Sequence, residues 1–291
     1  MKKTGFILAG LGLLSYFLYK QNNDIMITNY TYIANKIPHV FEGMRVVHLS
    51  DLHNKSFKEN QQYLLSKINK AHPDVVFITG DIVDSRRYDD KPSLLLINEL
   101  TKKWPVYYVT GNHECNSNHF HQLETLMKQA GVHVLRNQTK VFTKRNEKIY
   151  ISGIDDPSFA IHFPDSDTEL FTENSLQIAQ KNIELNKSFR ILLAHRPELM
   201  HLYAKHSFDI VFTGHAHGGQ IRIPFIGGLI APHQGFFPKY TAGVHKKNKT
   251  SMVINRGLGN SLFPFRIFNR PEVVVLTLKS RLWNDFQFLN E

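Results

Sequence analysis

The chain has 291 residues, of which 42% are hydrophobic, so its length suits one large domain or one domain plus an anchor. Its 35 lysines and arginines exceed its 25 acidic residues, and the net charge of +10 favours acidic partners such as lipid headgroups. The single cysteine, Cys115, excludes an intrachain disulfide and a cysteine-based zinc site. No long basic groove with interleaved aromatic residues is visible, so nucleic acid is not expected as a partner.

The first segment of the chain has the composition of a membrane anchor. Residues 5–19 are uncharged and almost wholly apolar, with Lys2 and Lys3 before them and Lys20 after them. As a helix they would span about 22 Å, which is short of the ~30 Å core of a bilayer. A signal-anchor, a cleaved secretory signal and an interfacial anchor all fit this pattern, but no convincing cleavage site follows. We therefore expect an uncleaved anchor over residues 1–20 of a cell-membrane protein, with the domain that follows it outside the cytoplasm because the positive flank precedes the apolar segment.

Strand and helix patterns alternate after the anchor. Residues 21–43 form a leading strand and its connection, and residues 44–291 form the main domain. Short β-branched and apolar runs predict buried strands, and amphipathic stretches between them predict helices. Strands are expected at 45–50, 75–79 and 106–110, and helices at 60–71, 93–102 and 119–130. This order predicts an α/β fold with parallel strands and helices outside the sheet.

From residue 132 the pattern changes to that of a second, mixed sheet. A hairpin is expected around residues 146–148, then a loop over 155–172 and a helix over 173–185. Strands at 189–194 and 210–213 and short strands separated by Gly/Pro turns follow, with a final strand at 273–278. The Gly/Pro-rich stretch 221–240 fits either a β-core with tight turns or a surface that accepts an acyl chain.

Polar residues of metal-ligand types follow the predicted strands. Asp51 and His53 lie two positions apart, so in extended backbone both side chains point to one face. The other strands lead into Gly80-Asp81-Ile82-Val83-Asp84, Gly111-Asn112-His113-Glu114, His195, and Gly214-His215-Ala216-His217. Ligands of α/β sheets bind beyond the carboxyl ends of strands. Carboxylates, imidazoles and an amide oxygen suit Mn, Fe or Zn, so the sequence predicts a metal site there.

These five elements, in this order, resemble the motifs of the calcineurin-like metallophosphoesterases over residues 44–279. Gly214 to Gln220 and Arg256 to Ser261 are similar to a bacterial membrane-associated subgroup related to the UDP-diacylglucosamine hydrolases. The resemblance implies a four-layer α-β-β-α sandwich of two mixed sheets. It also implies a metal-dependent phosphoesterase in which two divalent ions hold a phosphoryl oxygen and activate water.

The resemblance also assigns roles to individual residues. One ion would be held by Asp51, His53 and His217, the other by Asn112, His195 and His215, with Asp81 between them. His113 would be the general acid that protonates the leaving oxygen, and Asp84 would orient it. Arg86, Arg196 and Arg256 are candidates for contacts to the substrate's phosphate. Any one of these residues could instead be a core hydrogen-bonding group or a helix cap, but their number and order favour the site.

At two positions this sequence differs from the protein phosphatases, and the differences limit the class of substrate. Ser85 and Thr110 stand where those enzymes have arginines, which disfavours a dianionic phosphomonoester on protein. A phosphodiester or pyrophosphate fits better, carried by a lipid or another cell-envelope component. The alternatives are a UDP-diacylglucosamine-type pyrophosphatase facing the cytosol, a nuclease or cyclic-nucleotide phosphodiesterase, and a catalytically silent metal-binding scaffold.

Overall fold

A computed structural model describes residues 2–162, 167–181, 183, 188–261 and 263–281. Its helices are α1 (Lys2–Asn23), α2 (Gln62–Ala71), α3 (Lys91–Thr101), α4 (Asn112–Cys115), α5 (Phe120–Gln129), α6 (Thr168–Gln180) and α7 (Met200–Lys205). Its strands are β1 (Met26–Ala34), β2 (Arg45–Leu49), β3 (Val75–Thr79), β4 (Val106–Val109), β5 (His133–Val134), β6 (Gln138–Lys144), β7 (Glu147–Gly153), β8 (Phe189–Leu193), β9 (Ile210–Thr213), β10 (Arg222–Ile223), β11 (Gly227–Gly228), β12 (Ile230–Ala231), β13 (Gly235–Phe236), β14 (Gly243–Lys247), β15 (Thr250–Ile254) and β16 (Glu272–Ser280).

The first sheet has the strand order β1-β16-β2-β3-β4-β5. Strands β2 to β5 are parallel, as the alternation of strands and helices predicts, whereas β16 runs antiparallel to β2. The leading strand β1 pairs in parallel with β16, so the first and last strands of the domain lie side by side at one edge. The carboxyl ends of β2, β3 and β4 therefore open on the same edge of the sheet.

The second sheet has the strand order β14-β15-β9-β8-β7-β6 and is mixed, as predicted. Its centre, β15-β9-β8-β7, is parallel, and an antiparallel hairpin closes each side. Lys246, Lys247 and Lys249 lie at the tip of the β14–β15 hairpin. Strands β8 and β9 end beside the edge of the first sheet at which β2, β3 and β4 end. His195 and His215 follow β8 and β9 there.

The apolar side chains form three successive layers between four layers of structure. Helices α2, α3 and α5 pack on the outer face of the first sheet through residues such as Leu64, Leu96 and Leu123. The inner faces of both sheets meet in a second layer that includes Phe77 and Phe212. Helices α6 and α7 cover the outer face of the second sheet. These layers confirm the predicted α-β-β-α order. Each sheet is covered on both faces because alternate residues of a strand point to opposite faces.

The N-terminal segment forms a helix that is longer than predicted. Helix α1 runs from Lys2 to Asn23, and most of its apolar side chains are exposed, Phe6 by 79%. Within the described residues, no helix is both long enough and apolar enough to cross a membrane. The end of α1 is fixed to the domain, because the Phe17 ring packs edge-on against Phe268 at 5.6 Å.

The segment predicted as a loop over 155–172 is in part helical. A 3₁₀ helix occupies Pro157–His162, and α6 begins at Thr168 with the Asp167 side chain accepting the Glu169 amide proton as an N-cap. Prolines and aromatic residues hid the helix start in the sequence. The predicted end of this helix at residue 185 lies outside the described residues, and α6 ends at Gln180.

Candidate metal centre

The structure brings the strand-end motifs together at one place. Five of the predicted ligands share an unusual backbone conformation with φ between +47° and +64°, namely Asp51, His53, Asp81, His215 and His217. The left-handed region is uncommon for residues other than glycine, and such strain concentrates at functional sites. The chain turns sharply as it leaves β2, β3 and β9, so Asp51 and His53 do not lie in the extended backbone that their spacing suggested.

Two glycines allow the motif loops to approach this closely. A Cβ on Gly111 would lie 2.6 Å from the Asp81 backbone nitrogen, and one on Gly214 would lie 2.7 Å from Ser50 Cβ. Real Cβ atoms do not come that near, so any other residue would push the Asp51 and Asp81 loops apart. The glycines that begin these two motifs are therefore explained by their close approach to Asp81 and to the Ser50–Asp51 segment.

Six of the predicted ligands, together with the predicted general acid His113, form three overlapping groups, each with ligand atoms within 4.8 Å of one another. The groups are Asp51-His53-His217, His53-Asp81-His113 and Asp81-His195-His215. Asp81 Oδ2 lies 3.7 Å from His53 Nε2 and 3.2 Å from His195 Nε2. Asp81 thus stands between the two outer groups, where a carboxylate shared by two ions would have to be.

Distances within the groups match those expected around a cation. His53 Nε2 lies 3.1 Å from His217 Nε2, and His215 Nδ1 lies 3.1 Å from His195 Nε2. Two nitrogens that occupy neighbouring positions around one ion, each about 2.0–2.1 Å from it, lie about 3–3.5 Å apart. His195 is also oriented from behind, because its Nδ1 is 2.6 Å from the Thr79 carbonyl oxygen and leaves Nε2 for the site.

A buried amide oxygen without a hydrogen-bond partner also indicates a cation site. Asn112 Oδ1 is buried and has no hydrogen-bond partner among the described residues. A buried acceptor without a partner costs about 1–3 kcal/mol, so such an atom needs an explanation. Asn112 follows β4 directly and belongs to the predicted ligand set, so an oxygen-seeking cation fits this atom.

Burial makes the histidines suitable as neutral ligands. It lowers the pKa of His53 to about 3 and holds the pKa values of His215 and His217 well below their usual range. Burial also raises the pKa of Asp51 to about 6, since its charged form is poorly solvated there. A divalent cation would stabilise the charged carboxylate and needs the imidazoles unprotonated.

Asp81 and His195 form a charged pair inside the cluster. Burial opposes both charges, but the Asp81 carboxylate raises the pKa of His195 to about 10, and His195 in turn holds the pKa of Asp81 well below its usual range. The proton on His195 compensates Asp81 in the same way that a cation would. Ligation by His195 must release that proton.

His113 lies beside the cluster and is held by the loop after β3. The Ser85 amide donates to His113 Nδ1 at 3.1 Å, and the Ser85 hydroxyl lies 3.2 Å from the same atom. The Asp84 carboxylate is slightly farther away, with Oδ1 3.5 Å from Nδ1. Asp84 mainly accepts from Arg86, whose amide nitrogen is 3.0 Å from Oδ1. Ser85, which stands where the protein phosphatases have an arginine, is therefore the nearest partner of the ring, and the predicted partner Asp84 lies just beyond it.

Glu114 lies behind the site and hydrogen-bonds to the backbone of the loops that carry Asp81 and Asn112. Its carboxylate accepts from the amides of Gly111 at 2.6 Å and of Asp81 and Ile82 at 2.8 Å each. Burial, followed by repulsion from Asp81, raises the pKa of Glu114 to about 7. This one side chain fixes the loops that carry Asp81 and Asn112 relative to each other.

Replacement of Glu114 by alanine is expected to lower the free energy of unfolding by about 3 kcal/mol, because it leaves several buried amides without an acceptor. Urea denaturation followed by circular dichroism measures the change. The control is Glu99→Ala on α3, whose partner Lys102 is exposed, and its effect should stay below about 1 kcal/mol. Equal effects of the two substitutions would contradict this role.

Four of the predicted ligands, Asp81, Asn112, His215 and His217, form the floor of an open cavity of about 320 Å³. Its walls include Ser85, Arg86, Pro232, His233 and Ser261. His233 stacks on His215 with ring centroids 5.4 Å apart, and nothing in its spacing identified it beforehand. Distant segments of the chain thus supply the walls, whereas the strand-end motifs supply the floor.

The three predicted substrate arginines have different surroundings. Arg86 lines the cavity and is the only arginine to do so among the described residues. Arg196 is buried and makes two hydrogen bonds to Asp156, at 2.8 and 2.9 Å. Arg256 pairs with Glu272 at 2.9 Å. Arg86 is therefore the one of the three that the structure brings to the cavity.

Comparisons with known proteins agree with the site. Residues 44–219 match the calcineurin-like phosphoesterase family. The chain belongs to this family. Its relatives include the uncharacterized metallophosphoesterase YkuE of Bacillus subtilis, which is 30% identical over 95% of this chain and 93% of its own length. Phosphodiesterase YaeI of Escherichia coli is 27% identical over 80% of this chain and 82% of its own length.

A zebrafish relative is named a transmembrane protein with a metallophosphoesterase domain, and it is 28% identical over 84% of this chain and 55% of its own length.

As a calcineurin-like phosphoesterase the chain is a hydrolase, and its family uses divalent metal ions. The aspartate and histidine groups described above could hold a pair of such ions. The resemblance inferred from the motifs is thereby confirmed.

Proposed function

We propose that this phosphoesterase hydrolyses a phosphodiester or pyrophosphate of a lipid or cell-envelope component. The observation that carries the proposal is the chain of overlapping ligand groups joined through Asp81 at the floor of an open cavity. The phosphodiesterase among the relatives supports the choice of bond. So does Thr110, which is buried and donates to Asp155 at 3.1 Å instead of offering a guanidinium to a dianion.

In this proposal Asp51, His53 and His217 would hold one ion and Asn112, His195 and His215 the other, and Asp81 lies where it could serve both groups. Bound ions would polarise the phosphoryl group and lower the pKa of water. The chain's own contribution is to hold the ligands at fixed places, through Glu114 behind the loops and Thr79 behind His195. Such support limits the reorganisation that the reaction requires.

His113 is proposed to donate a proton to the leaving oxygen. The Ser85 amide occupies Nδ1 of the neutral ring, so Nε2 is the nitrogen left for the substrate. The donating form is the imidazolium, which becomes neutral imidazole when Nε2 gives its proton to the leaving oxygen. Asp84, 3.5 Å from Nδ1, is the carboxylate that a second ring proton would meet. Arg86, half exposed at the cavity wall and paired with Asp84 at 3.3 Å, is proposed to contact a non-bridging phosphate oxygen.

Membrane attachment through residues 1–20 is part of the same proposal. The exposed apolar side chains of α1 and the lysines near both of its ends support it. The catalytic domain is proposed to face outward, because positive residues precede the apolar segment. A phosphoester on a lipid would then be within reach of the cavity.

Metal dependence tests the function. The full chain in detergent, stripped of metal, is expected not to hydrolyse an aryl phosphodiester, and added Mn²⁺ should restore hydrolysis. Aryl phosphomonoester serves as the comparison substrate and should be the poorer one. A folded protein that binds metal stoichiometrically and hydrolyses neither ester nor lipid pyrophosphate would favour the scaffold alternative.

A further inference from the structure

Two segments that line the catalytic cavity carry exposed phenylalanines. Residues 220–240 reach the cavity through Pro232 and His233, and residues 261–270 reach it through Ser261. The exposed apolar side chains of these segments are Phe225, Ile226, Ile230, Phe236, Phe237, Phe263, Phe265 and Phe268. Phe225 at a hairpin tip is fully exposed, and Phe236 is 72% exposed. A soluble surface rarely concentrates so many large apolar side chains, so this group marks an interaction site.

The two segments are joined to each other and to α1. The Arg222 amide donates to the Ile267 carbonyl at 2.9 Å, and Asn269 Nδ2 donates to the Gln220 carbonyl at 2.9 Å. Asn260 Nδ2 donates to Asn22 Oδ1 at 2.8 Å, close to the packing of Phe17 on Phe268. The phenylalanine surface is therefore structurally continuous with the exposed apolar helix at the N-terminus.

Charge along these segments is of one sign. From residue 210 to residue 271 the sequence contains no aspartate or glutamate, and residues 1–23 contain none either. Over the same stretches the basic residues are Lys2, Lys3, Lys20, Arg222, Lys239, Lys246, Lys247, Lys249, Arg256, Arg266 and Arg270. Arg256 and Arg270 pair with Glu272 and Asp24, but Lys239, Lys246, Lys247 and Lys249 are exposed. Exposed apolar side chains and exposed lysines on a segment without acidic residues suit an anionic lipid surface, which offers both an acyl boundary and negative headgroups.

We infer that the phenylalanine surface, defined by residues 225–237 and 263–268, is a second membrane contact that inserts into an anionic bilayer surface at the mouth of the cavity. The cavity then opens toward lipid headgroups, and the substrate need not leave the membrane. This last step rests on the proposed function, whereas the membrane contact itself does not.

Local fluorescence tests the contact without reference to activity. Phe236→Trp and Phe265→Trp are introduced separately into the full chain, with Leu170→Trp on the exposed face of α6 as the control. Each protein is reconstituted in phosphatidylcholine–phosphatidylglycerol vesicles that contain brominated acyl chains. We expect quenching and a blue shift for the first two probes relative to wild type and no change for the control. Helix α1 is present in every variant, so membrane attachment through α1 alone cannot cause a difference in quenching between the probes.

Unquenched probes at Phe236 and Phe265, or equal quenching at Leu170, would overturn the membrane contact and favour a protein partner or nonspecific adsorption. A second measurement concerns substrate access. The double variant Phe236→Ser/Phe237→Ser should lower kcat/KM for a vesicle-borne phosphodiester at least about tenfold, with hydrolysis of a soluble aryl phosphodiester unchanged. An equal loss on both substrates would mean that these residues shape the cavity instead. Quenched probes with no diester hydrolysis by wild type would leave the contact standing and remove the proposed function.

Discussion

Replacement of Asp81 by asparagine is expected to abolish phosphodiester hydrolysis and to reduce the metal content below that of the wild type. Asp81 Oδ2 is the atom that connects the two outer ligand groups, at 3.2 Å from His195 Nε2 and 3.7 Å from His53 Nε2. An amide oxygen brings no charge to offset two divalent ions and can engage only weakly with both. Loss of several kcal/mol of electrostatic stabilisation corresponds to a fall in kcat/KM of at least about 10³. Metal analysis after gel filtration and initial rates at saturating Mn²⁺ measure both effects.

The asparagine preserves much of the local structure, which makes this substitution more informative than alanine. Asp81 Oδ1 accepts the His113 amide proton at 2.8 Å, and the amide oxygen of asparagine can do the same. Asp89→Asn, at an exposed position near α3, changes the same functional group outside the cavity and should leave rate and metal content intact. Full metal occupancy together with wild-type turnover in the Asp81 variant would exclude the proposed shared carboxylate.

The sequence predicts which residues meet at the floor of the cavity, because each of them lies within a few residues of a strand end. Asp51, Asp81 and Asn112 come from neighbouring parallel strands whose carboxyl ends must meet at one edge. His195 and His215 follow two adjacent strands of the second sheet. What local pattern alone does not fix is that the two sheets pack face to face. That arrangement depends on long-range apolar contacts such as Phe77 with Phe212, and the family resemblance supplied it.

The walls of the site could not be predicted in the same way. Pro232, His233 and Ser261 lie in irregular segments whose path is set by turns and by hydrogen bonds to distant backbone. Ser85 carries no chemical signal of its own, because its main contact to His113 is made by a backbone amide. Two of the three predicted arginines are occupied by buried acids, Asp156 and Glu272, which are far away in sequence. The partner of a guanidinium group depends on the tertiary structure, whereas the position of a ligand after a strand can be recognised from the local sequence.

Replacement of His113 by alanine is expected to leave metal binding intact and to lower kcat about 10²- to 10⁴-fold on substrates with a poor leaving group. His113 lies beside the cluster, but the two outer ligand groups are complete without it. Its ring is held from the side of Ser85 and Asp84, so Nε2 is free to face the substrate. Steady-state kinetics with an alkyl phosphodiester and metal analysis of the same preparation measure the two quantities independently.

The leaving group provides the sharpest control for this role. An aryl oxide with a low pKa departs without a proton, so His113→Ala should slow an aryl diester much less than an alkyl diester. His121→Ala, on the exposed side of α5, removes an imidazole elsewhere and should alter neither rate. An equal loss on both diesters would indicate that His113 positions the phosphate or a ligand, since only proton donation depends on the basicity of the departing oxygen. Loss of metal in the variant would instead place His113 among the ligands, as the His53-Asp81-His113 group allows geometrically.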